Sequence, residues 1–292
     1  MFRLGIIKKV KPKHWNVWSA KTDTWAKKRN ILAFDIDDTL TVHGRIPALV
    51  LRGFEYCQKE GLRVLLVTGR PAGWADALVK MFPIDGVIAE NGAVIFYWKN
   101  GLQKKRKGEE PARAFWQNPS GFVSGSVTHD KPQGFSKIQS EILRVFPKAR
   151  ISSDQFARLY DLAIDFAEEV NPPMGLEEAN QIRAIFEKHG ATAKVSSIHV
   201  NGWFGDFSKL SGLQFLVEDI WNRSLQRNTV YVGDSPNDGP LFDSLDCTVG
   251  VANVKKFFNR VDFAWPKFIT QKKTAEGAIE VIQKILGYKI KQ

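Results

Sequence analysis

The sequence predicts an α/β fold, a Rossmann-like parallel-sheet core with an inserted α/β cap domain, on three observations. From residue 31 onward, short apolar runs alternate with amphipathic stretches, the pattern of a parallel sheet covered by helices. The runs ILAFDID and LRVLLVT bring Asp35 and Thr68 to strand ends 33 residues apart, which suits a strand–helix–strand unit of ~30 residues or more. Near residue 102 the chain turns basic and rich in Pro and Gly, a new set of elements follows, and the core pattern resumes near residue 202. These breaks assign residues 31–102 and 202–292 to the core, 103–201 to the cap, and 1–30 to an N-terminal extension.

Each element has a local reason. After the strand ILAFDID, Pro47 opens a helix in which Val50, Leu51, Phe54 and Cys57 recur at helical spacing, and Gly61 stops it. The strands LRVLLVT and GVIAE follow. The cap reads as a helix over 135–146, a strand RLYDLAIDFA, a helix over 176–189 ended by Gly190, and a strand AKVSSIHVNG. The core then continues with a helix from Ser208, strands TVYVGD and CTVGVA, a short strand DFAWP and a closing helix over 275–286.

At 292 residues and 43% hydrophobic, the chain can bury a substantial core. Its formal net charge of +11 is concentrated at the start, where nine Lys or Arg against Asp23 give residues 1–30 a charge of +8. Trp15, Trp18 and Trp25 interleave with these charges, a composition that can stack on single-stranded nucleic acid or lie at a membrane surface. Packing of the tryptophans on the protein or on a partner subunit, with solvated lysines, is the favoured reading. Nucleic acid and membrane are therefore not expected as partners, and a monomer or a homodimer fits equally. Cys57 and Cys247 lie far apart in apolar stretches and read as reduced thiols. With no stretch suited to a signal core or a membrane span, the expectation is a cytoplasmic protein.

In an open parallel sheet, ligands bind beyond the carboxyl ends of the strands, and these ends are acidic. Asp35, Asp37 and Asp38 follow the first strand; Asp234 and Asp238 follow TVYVGD. So many carboxylates at one edge repel unless a cation holds them, and hard oxygen ligands suit Mg²⁺. Thr68 and the amides of the Gly69 turn can bond a phosphoryl oxygen, although such Thr-Gly pairs are commonly plain turns. Lys209 falls just after Ser208, an N-cap candidate. A cation in that first helical turn opposes the helix dipole by ~0.3–1 kcal/mol, so its presence makes sense beside a bound phosphate.

The segments FDIDDTL, LLVTGR, the lysine of FSKLSG, and VGDSPND resemble, in order, the four signatures of the haloacid dehalogenase-like superfamily, over about residues 31–287. An insertion between the second and third signatures resembles the branch with a large α/β cap, which includes many sugar-phosphate phosphatases. The resemblance implies Asp35 as nucleophile, Asp37 as general acid and base, and Thr68 and Lys209 as holders of the phosphoryl group. It implies Mg²⁺ bound by Asp35, Asp234 and the carbonyl of Asp37, with Asp238 completing or orienting the site. Gly69, Arg70, Asn91, Asn237 and Asn253 are implied around the phosphate and substrate. Asp38 departs from the family, which often has glycine there.

Alternation along the cap strands places Leu162, Ile164 and Phe166 on one face and Asp161 and Asp165 on the other; Ser197, His199 and Asn201 likewise oppose Ile198 and Val200. If the polar faces roof the site, Asp161, Asp165, His199 and Asn201 can bond a sugar's hydroxyls and Trp203 can stack on it; otherwise they line a solvated sheet. The leading expectation is a Mg²⁺-dependent phosphatase of a small phosphate ester, favouring a sugar phosphate and including a disaccharide phosphate. A phosphomutase or phosphotransferase, and a non-catalytic binding protein acting through the basic extension, are the alternatives.

Overall fold

The computed structural model describes residues 28–99, 103–104, 134–257 and 264–290. The basic, tryptophan-bearing segment before residue 28 and most of the basic stretch after residue 100 lie outside the described residues. No helix among the described residues is long and apolar enough to cross a membrane.

The first sheet runs in the order β12-β11-β10-β1-β2-β3-β4-β5. Its strands are β1 (Ile31–Phe34), β2 (Arg63–Val67), β3 (Gly86–Ala89), β4 (Val94–Lys99), β5 (Gln103–Lys104), β10 (Thr229–Gly233), β11 (Thr248–Gly250) and β12 (Phe268–Ile269). The block from β12 to β3 is parallel, whereas β4 and β5 are antiparallel additions at one edge. Side chains alternate across it. Leu32, Phe34, Val64, Leu66, Val230 and Val232 join one apolar cluster with helices α1 (Ala48–Lys59), α2 (Ala72–Met81) and α8 (Thr274–Leu286). Ile31, Ala33, Leu65, Val67 and Tyr231 join the other, with α5 (Lys209–Gln214), α6 (Leu225–Asn228) and α7 (Gly239–Ser244). Strands buried on both faces explain the nearly continuous apolar runs. Cys57 and Cys247 are both buried and free.

A second sheet, in the order β6-β7-β9-β8, comprises β6 (Arg150–Ile151), β7 (Asp161–Asp165), β8 (Thr192–Val195) and β9 (His199–Trp203). Helices α3 (Phe135–Val145) and α4 (Leu176–Lys188) cover one side, where Leu162, Ile164, Phe166 and Val200 meet Ile138, Ile142, Ile182 and Phe186. The Asp161, His199 and Asn201 side is left to face the first sheet.

Several local expectations change. AKVSSIHVNG is a hairpin rather than one strand: the Ser196 hydroxyl accepts the N–H groups of Ile198 (3.3 Å) and His199 (2.9 Å), and Ser196 N donates to His199 O at 2.8 Å. RLYDLAIDFA shortens to β7 because Gln155 brackets its start. Its amide donates to Asp161 O at 2.8 Å and accepts from Ala163 N at 2.8 Å, standing in for a neighbouring strand. The last short strand falls at Phe268–Ile269, after DFAWP, whose Asp262 and Phe263 lie outside the described residues. Pro266 offers no N–H, and Lys267 N bonds the Thr248 hydroxyl of β11 at 3.0 Å instead of a main-chain carbonyl. Helix α2 and the antiparallel β4 are additional to the sequence reading.

Candidate active site

β1 leaves the centre of the first sheet, with β2 and β3 added on one side and β10, β11 and β12 on the other. Such a switch point opens a crevice at the carboxyl ends of the strands. Asp35 follows β1 directly, anchored by its N–H to Val232 O at 2.8 Å. Thr68 follows β2, and Asp234 follows β10. All three are buried.

Lys209 binds this floor together. Ser208 caps α5 by accepting Ser211 N at 3.1 Å, which sets the first turn and sends Lys209 inward. Its Nζ donates to Asp35 Oδ1 at 2.6 Å and to Asp238 Oδ1 at 2.8 Å, and it is only 3% exposed. Burial lowers the ammonium's pKa, but Asp238 and Asp35 outweigh it and the net shift is upward, so Lys209 is charged. Gly92 makes this approach possible: at φ +111°, a Cβ there would stand 2.1 Å from Ser208 O.

The acidic cluster passes a test for a cation on its own geometry. Asp35, Asp234 and Asp238 each present a carboxylate oxygen within 4.8 Å of the others, all buried. Asp238 is fully engaged: Oδ1 accepts Lys209 and the Tyr231 hydroxyl (2.6 Å), and Oδ2 accepts the N–H groups of Asp234 (3.0 Å) and Ser235 (3.1 Å). Asp234 is engaged on one side alone. Its Oδ2 accepts Asn253 Nδ2 at 2.9 Å, while its Oδ1 is buried without a partner among the described residues. A buried carboxylate oxygen without a donor costs ~1–3 kcal/mol or more unless a cation or water meets it. Burial also pushes Asp35 well above the usual carboxylate range against the pull of Lys209, and burial raises Asp234 to about 7. A divalent cation would relieve both.

Asn253 corrects an expectation. It bonds Asp234, accepts Thr274 N at 2.9 Å and donates to Asp38 O at 3.0 Å, so it orients the acidic cluster instead of edging the phosphate pocket. Asp38 takes φ 57°, a left-handed backbone state that favours glycine, and its carboxylate lies 3.5 Å from Lys256 Nζ. Lys256 is also 3.5 Å from Asp234 and offsets the extra charge.

A cavity opens between the two sheets, lined by Asp35, Asp37, Gly69, Arg70, Asn201, His199, Ser196, Ser197, Ser235 and Asn237. The polar cap face therefore roofs the site. Gly69 is closely approached: a Cβ there would lie 3.3 Å from the Asn91 side chain and 3.6 Å from Asn201. Asn91 Nδ2 is buried beside that turn and without a partner among the described residues. Thr68 accepts Arg70 N at 3.0 Å and retains its hydroxyl hydrogen to donate.

Three expected substrate contacts are instead structural. Asp165 turns away, its carboxylate accepting the N–H groups of Ala167, Glu168 and Glu169. Asp161 is committed to Arg158 (3.0 and 3.1 Å) and to Asn201 Nδ2 (2.7 Å). Trp203 is 1% exposed and stacks on Phe207 with ring centroids 5.4 Å apart, so it offers no face to a ligand. Arg70 is likewise no free phosphate ligand: it grips Asp37 and the cap acids Glu168 and Asp154.

Residues outside the recognised motifs build the junction. Arg158 donates to Gly69 O at 2.8 Å while paired with Asp154 and Asp161. Glu90 accepts the N–H groups of Ala72, Leu159, Tyr160 and Asp161, tying α2 to the start of β7. Glu90 closes the segment GVIAE, read as a strand from the sequence; Arg158 and Asp154 carried no spacing signal.

Residues 32–115 match the family of haloacid dehalogenase-like hydrolases. Among solved structures, the chain is similar to a Thermoplasma acidophilum protein at 18% identity, with a TM-score of 0.63 over 88% of this chain and 98% of that one. It is similar to the sucrose-phosphatase of a Synechocystis species, at 17% identity and a TM-score of 0.59 over 88% of this chain and 98% of that one. A sugar phosphatase of haloacid dehalogenase subclass IIB is similar at 20% identity and 0.53, over 88% and 99%. No curated protein sequence matches the chain.

Proposed function

We propose that this chain, whose residues 32–115 match the haloacid dehalogenase-like hydrolases, is a Mg²⁺-dependent phosphatase of a small, hydroxyl-rich phosphate monoester, a sugar phosphate in class. The observation that carries the reading is Asp35, buried at the cavity floor with its carboxylate 2.6 Å from Lys209 and beside the unpartnered Oδ1 of Asp234.

Asp35 attacks phosphorus in line, the P–O bond to the alcohol breaks, and an aspartyl-phosphate forms; water then cleaves it to return the carboxylate and inorganic phosphate. Asp37, on the cavity wall, donates a proton to the departing alcohol oxygen and later takes one from the attacking water. In this reading Lys209, Thr68 and Asn91 donate to the phosphoryl oxygens; Thr68 keeps its hydroxyl hydrogen, and Asn91 Nδ2 has no partner among the described residues. Asp35, Asp234 and the carbonyl of Asp37 would hold Mg²⁺, which when bound supplies charge neutralisation at the transferring group.

The leaving-group side of the cavity supports a neutral polyol. Ser197 and Asn201 line it with a hydroxyl and an amide, and the cationic Arg70 and Arg158 nearby are spent on carboxylates. The roof disfavours large substrates. The similarity in fold to a structure solved with sucrose and phosphate points the same way.

A phosphate-release screen over sugar phosphates, with Mg²⁺ and with chelator, tests the reading. Expected is Mg²⁺-dependent release that Asp35→Asn abolishes while the circular dichroism spectrum is kept. Near-normal turnover by that variant sinks the nucleophile assignment, and transfer to a second hydroxyl without free phosphate would favour a phosphomutase.

A further inference from the structure

Glu168 belongs to none of the sequence motifs, yet the structure places it beside the catalytic candidates. Asp165, at the end of β7, accepts three successive main-chain N–H groups, from Ala167 (2.9 Å), Glu168 (2.8 Å) and Glu169 (2.9 Å). That fastened turn aims Glu168 from the cap toward the core. There its carboxylate receives Arg70 Nη2 at 2.6 Å and Nη1 at 3.2 Å. The other edge of the same guanidinium grips Asp37, through Nε at 3.0 and 3.1 Å and Nη2 at 2.8 Å. Arg70 is 4% exposed and lies over the Trp74 ring at 4.6 Å.

A guanidinium is planar and rigid, so fixing one edge fixes the other. We propose that Glu168 is a positioning residue for Asp37: docking of the cap sets the plane of Arg70, and Arg70 sets the carboxylate that transfers the proton. The claim rests on the phosphatase reading, in which Asp37 protonates the leaving alcohol. Burial works to raise the Glu168 pKa, but hydrogen bonds from His199 and Arg70 pull it down to about 2, so it is anionic in use. His199 Nε2 lies 2.9 Å from Glu168 Oε2, the oxygen that also accepts Arg70 Nη1. With Glu168 gone, Asp154 is the remaining cap acid on Arg70 among the described residues, and its single 3.4 Å bond to Nη1 leaves the plane free to turn.

The test exploits leaving-group chemistry. An alkoxide needs the proton from Asp37, whereas p-nitrophenolate leaves without it. Glu168→Gln should lower kcat on glucose 6-phosphate by ~10–100-fold, a share of the ~10²–10⁴ that general acid catalysis supplies. On p-nitrophenyl phosphate the loss should stay within about threefold on the same scale. Arg70→Lys, which keeps the charge and loses the fork, should reproduce the pattern. Equal losses on both esters would overturn the positioning role. Independently of turnover, urea unfolding of Glu168→Gln, Arg70→Gln and the double variant should show coupling of at least about threefold in the unfolding constant. Additive effects would overturn the link itself. Coupling in a wild-type protein that releases phosphate from neither ester would keep the link, defeat the phosphatase reading, and overturn the role assigned to Glu168.

Discussion

Lys209 Nζ lies 2.6 Å from Asp35 Oδ1, so a residue from the first turn of α5 is ion-paired with the residue that directly follows β1, 174 positions earlier in the chain. The same ammonium holds Asp238 at 2.8 Å, and this one cation keeps two buried carboxylates compatible with the fold.

Lys209→Met should therefore act on stability as well as turnover. Leaving the acids without their cation costs ~3–5 kcal/mol, as for a broken buried pair. Urea unfolding without metal should show that loss, and Mg²⁺ should restore part of it. Phosphate release should fall by ~10²-fold or more, the scale of one lost transition-state donor. A variant with unchanged stability would show the pair to be dispensable.

Metal binding should be visible without turnover. The unpartnered Asp234 Oδ1 and the neighbouring Asp35 carboxylate gain a cation when Mg²⁺ binds the native state. At 100 times its Kd, the ion should stabilise by ~2.7 kcal/mol. Thermal denaturation with added Mg²⁺, compared with chelator, checks this, and Asp234→Asn should erase most of the difference.

Gly92→Ala is expected to damage the site from outside it. The backbone there is left-handed at φ +111°, and the new Cβ would press on Ser208 O from 2.1 Å. Displacing Ser208 moves the cap of α5 and Lys209 with it. Loss of ~1–3 kcal/mol in unfolding free energy together with lower kcat is the expected outcome.

The junction between the sheets should loosen as pH rises. Burial, with Asp161 nearby, pushes Glu90 up to about 7 from the ordinary 4.5, against the pull of the N–H groups it accepts. Because the folded pKa lies above the unfolded one, the folded state binds the extra proton between about pH 4.5 and 7. The preference for the folded state is full below that window and declines as pH passes through it. Urea midpoints measured from pH 4.5 to 8 should fall for the wild type and follow a flatter course in Glu90→Gln.

Apolar runs and strand-end chemistry made the core legible: ILAF is β1, while the structure decides that Leu32 and Phe34 pack on one face and Ile31 and Ala33 on the other. Ser208 capping α5, with Lys209 beside it, was readable because a cap and a misplaced charge are both local features. In the cap, local patterning was ambiguous. Ser196 breaks AKVSSIHVNG into a hairpin through its own hydroxyl, and Gln155 trims β7 by imitating a strand edge.

By itself the sequence determined which residues end strands and which acids, threonine and lysine would crowd one edge, because hydrophobic period and turn chemistry act within a few residues. Tertiary structure alone decided the pairing of the charged groups. Arg70 in the motif LLVTGR could face a phosphate or a carboxylate; the arrival of Glu168, 98 positions away, turned it to Asp37 and the cap. Asp165 and Asp161 looked equivalent by alternation until one capped a turn and the other met Arg158. Coulombic partners separated by such distances in sequence leave no periodic trace. Burial then selects the partners, since an unpaired charge in a dry interior is too costly to keep.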